Sequence, residues 1–113
     1  MSRVLDTFLD LVRISSPTGR ERGVAEYCAQ VLEEAGCSVR FDDTRAQTGS
    51  DTGNVIAKLR GTSPGVRLAL SAHMDCVQPC ENVEPLVEDG IVRAAGETVL
   101  GGDDKAGLAA IIE

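Results

Sequence analysis

The chain holds a single histidine, His73, in the stretch "LSAHMDCVQP", with Asp75 two residues after it. Further along, "VLGGDDKAG" carries Asp103 and Asp104 behind two glycines. A neutral imidazole binds a metal through one ring nitrogen, and a carboxylate on the other nitrogen fixes the tautomer. Asp75 is spaced either to do this or to hold the backbone of His73. Asp103 would present a carboxylate at a helix N-terminus, where Gly101 and Gly102 let the backbone approach something bound there. One imidazole and one carboxylate from two loops amount to half of a zinc site. Taken singly, each motif also has an ordinary explanation. A His near an Asp is more often a surface or core pair, and Gly-Gly-Asp-Asp is more often a capped turn. A helix start behind two glycines also suits an anion, which leaves a non-enzymatic ligand- or partner-binding module as the alternative. The frame of a phosphate-binding P-loop is absent from the sequence.

Elements are needed to bring these residues together. Val4, Leu5, Phe8, Leu9, Leu11 and Val12 recur at spacings of three and four, predicting a first helix that ends near "SSPTG". Thr18 stands three before Glu21, a capping-box pattern, and opens a second helix through Val24, Tyr27, Cys28, Val31, Leu32 and Ala35 that Gly36 ends. "CSVRFDD" and "NVIAKLRG" alternate as strands of an edge hairpin around a polar turn. "VRLALSAH" is an apolar run of the kind that fills a strand buried on both faces, with His73 at its carboxyl end. "LVEDGIVRAAG" predicts two short strands about Asp89-Gly90, and "DDKAGLAAIIE" a tightly packed helix. The expected class is α/β, a partial mixed sheet flanked by helices, with residues 1–113 forming one unit. In open α/β sheets ligands collect at the carboxyl ends of strands, where His73 falls.

Composition narrows the function classes. With 42% hydrophobic and 26% charged residues the chain reads as globular, and only 3% aromatics means that small aliphatics fill the core. A formal charge of −7 gives no basic footprint for nucleic acid or an anionic membrane surface. No apolar run approaches the roughly 18 residues of a membrane span, and the first segment is too interrupted by charge for a signal peptide, so a cytoplasmic location is expected. Cys28, Cys37, Cys76 and Cys80 are then expected as reduced thiols. His73, Cys76 and Cys80 lack the fourth ligand and compact turn of a structural zinc knuckle.

The ordered pair "SAHMDCV" and "VLGGDDKAGLAAIIE" resembles the zinc-dependent aminopeptidase and deacylase family that includes peptidase T, acetylornithine deacetylase, aminoacylase and glutamate carboxypeptidase. "LGGDDKAG" is most similar to the peptidase T branch, and the two amino-terminal helices and "NVIAKLRG" resemble that family's opening elements. The resemblance implies the amino-terminal portion of a catalytic domain that hydrolyses short peptides, tripeptides among them, or acyl-amino-acid amides with two Zn2+ ions. It implies that His73 ligates one zinc, that Asp75 is the catalytic-site aspartate orienting His73, and that Asp103 bridges the two ions. Asp103 is aligned through the pattern Asp, any residue, Lys, small residue, Gly; a slip of one would move the role to Asp104. The family's Glu-Glu pair, general base and ligand, has no counterpart here, and Glu113 is not promoted to that role. The family's lid and dimerisation domain has no match either. The chain alone is therefore expected to be inactive, to hold zinc poorly and to self-associate through unpaired sheet.

Overall fold

The computed structural model describes residues 2–113. Helix α1 (Arg3–Arg13) starts at Ser2, whose hydroxyl accepts from the Leu5 N–H at 3.4 Å, and it buries Leu9, Leu11 and Val12. Helix α2 (Arg22–Glu34) buries Val24, Ala25, Cys28 and Ala29. It ends in a Schellman motif: Gly36 takes φ +97°, its N–H bonds the Glu33 carbonyl and the Cys37 N–H bonds that of Leu32, both at 2.9 Å. Strand β1 (Ser38–Phe41), a one-turn helix α3 (Arg45–Thr48) and strand β2 (Val55–Lys58) follow, and β1 pairs antiparallel with β2, Val39 opposite Ala57. Strands β3 (Glu84–Glu88) and β4 (Ile91–Ala95) form a second antiparallel pair. Their two-residue turn is made by Asp89 and Gly90 at φ +50° and +77°, the double left-handed conformation of a type I′ hairpin. Helix α4 (Gly102–Ile112) closes the chain against α1 and α2.

The core lies where these three helices meet. Leu11, Val24, Cys28, Leu108 and Ala109 are buried together, and Phe8, Ile14, Tyr27, Leu32, Ala72, Met74 and Ile112 pack around them. Ala109 and Cys28 are small, so the helices approach closely, as expected of a chain with so few aromatics.

The α/β class and both hairpins match the expectation; two details do not. "VRLALSAH" is not a buried strand in a mixed sheet. Residues 66–73 join neither ladder, both sheets are two-stranded and antiparallel, and Val66, Leu68 and Leu70 are 89%, 84% and 70% exposed. An apolar run becomes a central strand only if strands flank it, and no described residues pair with this one; only its end, through Ala72 and Met74, packs on the core. The capping box also fails. Pro17–Arg20 forms a turn closed by Arg20 N–H to Pro17 C=O at 2.9 Å, with Gly19 at φ +92° in the third position as a type II turn requires. The turn delays the helix, so Glu21 becomes its N-cap and the Asp51 carboxylate accepts from the Arg22 N–H at 3.0 Å.

The β1–β2 hairpin depends on one carboxylate. Asp42 Oδ1 accepts from the Thr44 hydroxyl at 2.6 Å and the N–H groups of Asn54 and Thr44 at 2.8 and 3.1 Å, while Oδ2 accepts from the Asn54 amide at 2.9 Å. These donors, that of the Thr44 hydroxyl foremost, hold its pKa well below the usual carboxylate range. A lowered folded pKa means stabilisation that is present above the unfolded value and fades as pH falls through the folded one. Asp42→Ala is therefore expected to lower the urea midpoint at pH 7. The difference from wild type should shrink as pH drops from about 4 downward, and urea titrations across that range check both.

Candidate metal centre

The site is built on the connection between α1 and α2. Ser16, fully buried, donates its hydroxyl to the Met74 carbonyl at 2.8 Å, and the Cys76 N–H donates to the Ser16 carbonyl at 2.9 Å. Pro17 and Cys76 run parallel as a single bridge. Residues 74–76 are thereby laid alongside 16–18, which fixes the backbone on both sides of Asp75.

His73 stands between two carboxylates. Its Nδ1 lies 2.9 Å from Asp75 Oδ1 and 3.0 Å from the Asp75 carbonyl, and its Nε2 lies 2.9 Å from Asp103 Oδ1. The residues singled out from the sequence are thus brought together from loops thirty positions apart. The pKa of His73 is raised, first by the Asp103 carboxylate and then by the Asp75 contacts, against a desolvation that lowers it. That of Asp75 is lowered, first by the hydroxyl of Thr18, which donates to Oδ2 at 2.5 Å, and also by His73. The side chains of His73 and Asp103 are 52% and 95% exposed, so the pair faces open space.

These atoms suit two positions of a metal site. Nδ1 is taken by a carboxylate on the protein side, which directs Nε2 outward as the donor, and Asp103 converges on it with a hard oxygen. Imidazole nitrogen with carboxylate oxygen is a donor pair that zinc accepts. Among the described residues no group of three or more His, Cys, Asp or Glu is arranged to hold a metal, so the pair does not make a closed site. Cys76 does not join it: its thiol is buried 3.9 Å from the Gly101 carbonyl, and the Cys80 thiol lies 3.6 Å from the carbonyl of Cys76. All four cysteines are free. Burial pushes the Cys28 thiol up to about 11 and raises that of Cys80 as well, which leaves both poor nucleophiles. Glu113 sits at the other end of α4, bonded to the Thr7 hydroxyl at 3.0 Å and Arg3 at 2.9 Å.

The loop that carries Asp103 is shaped by what surrounds it. Gly101 takes φ +88°, and a methyl there would lie 3.1 Å from the Cys76 sulfur. Asp103 and Asp104 depart from helical φ and ψ, with a cis peptide between them, so regular turns begin at Lys105. The Asp104 carboxylate folds back over Gly107, where a methyl would overlap it. A larger residue at 107 would require the Asp104 side chain to move. With two acidic side chains already in the first turn, this helix start does not invite an anion.

Sequence reasoning missed three side chains. Lys105 is 1% exposed and donates its ammonium to the Ile14 carbonyl at 2.6 Å, with burial pulling its pKa down. Ser16 and Thr18 reach Met74 and Asp75. The signal in the sequence was faint: "SSPTG" was legible as a helix end, but its hydroxyls had no visible target fifty-odd residues away.

No family model matches the chain. An uncharacterised Bacillus subtilis protein, YqjE, is 42% identical over 111 residues, 98% of this chain and 30% of that protein. Among solved structures, a Staphylococcus aureus tripeptidase and the aminopeptidase PepT of Bacillus cereus each superpose with a TM-score of 0.93 at 38% identity. Each alignment covers 98% of this chain and 30% of the solved one. The chain thus spans about 30% of the length of the proteins it matches.

Truncating Lys105 tests the foundation of the site. Lys105→Ala removes a buried aliphatic stem and leaves the Ile14 carbonyl without its donor, a loss of about 2–5 kcal/mol of stability. Lys105→Met keeps the stem and is expected to lose less; urea unfolding followed by circular dichroism reads both.

Proposed function

We propose that this chain, a member of the aminopeptidase and deacylase family through its likeness to peptidase T-type enzymes, forms the His73–Asp103 half of a di-zinc centre that hydrolyses short peptides. The observation that carries the reading is the convergence of His73 Nε2 and Asp103 Oδ1 to 2.9 Å, with Asp75 on the far ring nitrogen. A tripeptidase and an aminopeptidase among the solved relatives favour peptides over other amides.

His73 would hold one ion through Nε2, and Asp103, with two oxygens on an exposed carboxylate, would bridge it to a second. Zinc bound there supplies Lewis-acid polarisation of a scissile carbonyl and acidification of water. The chain's own residues do the positioning. Asp75 keeps the proton on Nδ1, which leaves Nε2 with its lone pair outward and raises its basicity. A side chain acting as general base is not assigned within 2–113.

Two further proposals concern the chain by itself. Two donors fall short of the three or four protein ligands that hold zinc tightly, so little stoichiometric zinc and no peptidase activity are expected. The exposed Val66, Leu68 and Leu70 should drive self-association, visible by sedimentation velocity at tens of micromolar and reduced in Leu68→Lys. As for location, no helix among the described residues is long and apolar enough to cross a membrane; we keep a cytoplasmic site of action as part of the proposal.

The deciding experiment compares zinc content and initial rate on a tripeptide for three variants in the full-length enzyme. Asp103→Ala is expected to lose zinc and activity together. Asp75→Asn should keep most of its zinc and lose about 10–100-fold in rate, since it acts through the imidazole. Asp104→Asn should be mild, because the Asp104 carboxylate is turned back toward Gly107. Loss of zinc in the Asp104 variant alone would move the bridging role by one residue, and indifference of all three would remove the metallopeptidase reading.

A further inference from the structure

Thr18 occupies the second position of the Pro17–Arg20 turn, and its hydroxyl donates to Asp75 Oδ2 at 2.5 Å. The two oxygens of Asp75 are divided: Oδ2 takes Thr18 while Oδ1 faces His73 Nδ1 at 2.9 Å. A carboxylate is planar and turns as a unit, so holding one oxygen sets the direction of the other. The backbone on either side is already committed, by Ser16 to Met74 at 2.8 Å and by Cys76 to Ser16 at 2.9 Å. What those bonds leave free is the rotation of the Asp75 side chain. Among the side chains of the described residues, the Thr18 hydroxyl is the donor besides His73 that bonds this carboxylate, and it does the most to lower its pKa. A charge-assisted O–H···O⁻ bond of this length is at the strong end of its class, and a β-branched threonine loses little rotamer freedom in making it.

We propose that Thr18 is a positioning residue for His73, acting through Asp75: it locks the carboxylate so that the imidazole is held with Nε2 directed at Asp103. The proposal rests on the metal-ligand reading of His73 for its purpose, but the geometry belongs to the chain itself. Thr18 takes no part in bond making, and its effect travels through the relay Thr18, Asp75, His73.

The test separates the two. The sole imidazole gives unambiguous ring signals in long-range proton–nitrogen correlation spectra of the metal-free 113-residue chain. Thr18→Val and Thr18→Ala, which remove the donor, should move the His73 ring-nitrogen signals away from the wild-type pattern, and Thr18→Ser should restore it. Asp42→Ala, which loosens the β1–β2 hairpin away from the site, should lower the urea midpoint without that change. In the full-length enzyme Thr18→Val should lower kcat by about 10-fold or less with KM unchanged, below the cost of removing a direct partner of a ligand, and Thr18→Ser should recover it. Ring signals unchanged in both donor-less variants would overturn the positioning role, and so would loss of fold in both, which would make the contact structural. A full-length wild type without peptidase activity, whose imidazole still responds to Thr18→Val, would support the positioning role and sink the hydrolase reading alone.

Discussion

The structure depends on a buried ammonium. Lys105 is the largest side chain fully removed from solvent, and a charged amine in that position is costly unless it has a hydrogen-bond acceptor. Its partner is the Ile14 carbonyl at 2.6 Å, at the point where α1 ends and that carbonyl has no intrahelical donor. The bond therefore meets two needs at once and sets where α4 starts relative to α1. Asp103 stands two residues before Lys105 and Ser16 two after Ile14, so the same contact places the Asp103 carboxylate and the turn that holds Asp75. The small core of Leu11, Val24, Cys28, Leu108 and Ala109 closes behind it.

Much of this was legible in the sequence, for reasons that differ by element. Helices α1 and α2 announced themselves because apolar residues recur at helical period, and the Asp89-Gly90 turn because few dipeptides accept two left-handed conformations. His73, Asp75 and Asp103 were named from residue type and spacing, and their convergence follows from the loops that carry them. Two readings failed where a local pattern was consistent with more than one partner. Thr18 and Glu21 have capping-box spacing, but Pro17 and Gly19 commit the backbone to a type II turn first and the hydroxyl goes to Asp75 instead. The apolar run through Val66, Leu68 and Leu70 is the pattern of a strand buried on both faces, yet a strand is a relation between segments, and no described segment pairs with this one. Lys105 was unreadable for a related reason: nothing in its neighbours says that a carbonyl ninety-one positions away will receive it.

The division between what is buried and what is open explains how His73 and Asp103 are held in place although both are exposed. His73 and Asp103 are solvent-exposed, and exposed ion pairs contribute at most about 1 kcal/mol, so their mutual attraction does not hold the geometry. The holding is done underneath, by Ser16 to Met74, Cys76 to Ser16 and Lys105 to Ile14, all with at least one buried partner, where hydrogen bonds face little competition from water. Ala72 and Met74 pack against the core, and His73 between them is left exposed. The imidazole is thus presented by packing rather than by its own contacts. Asp103 and Asp75 settle only which way the ring faces, each carboxylate standing 2.9 Å from one of its nitrogens.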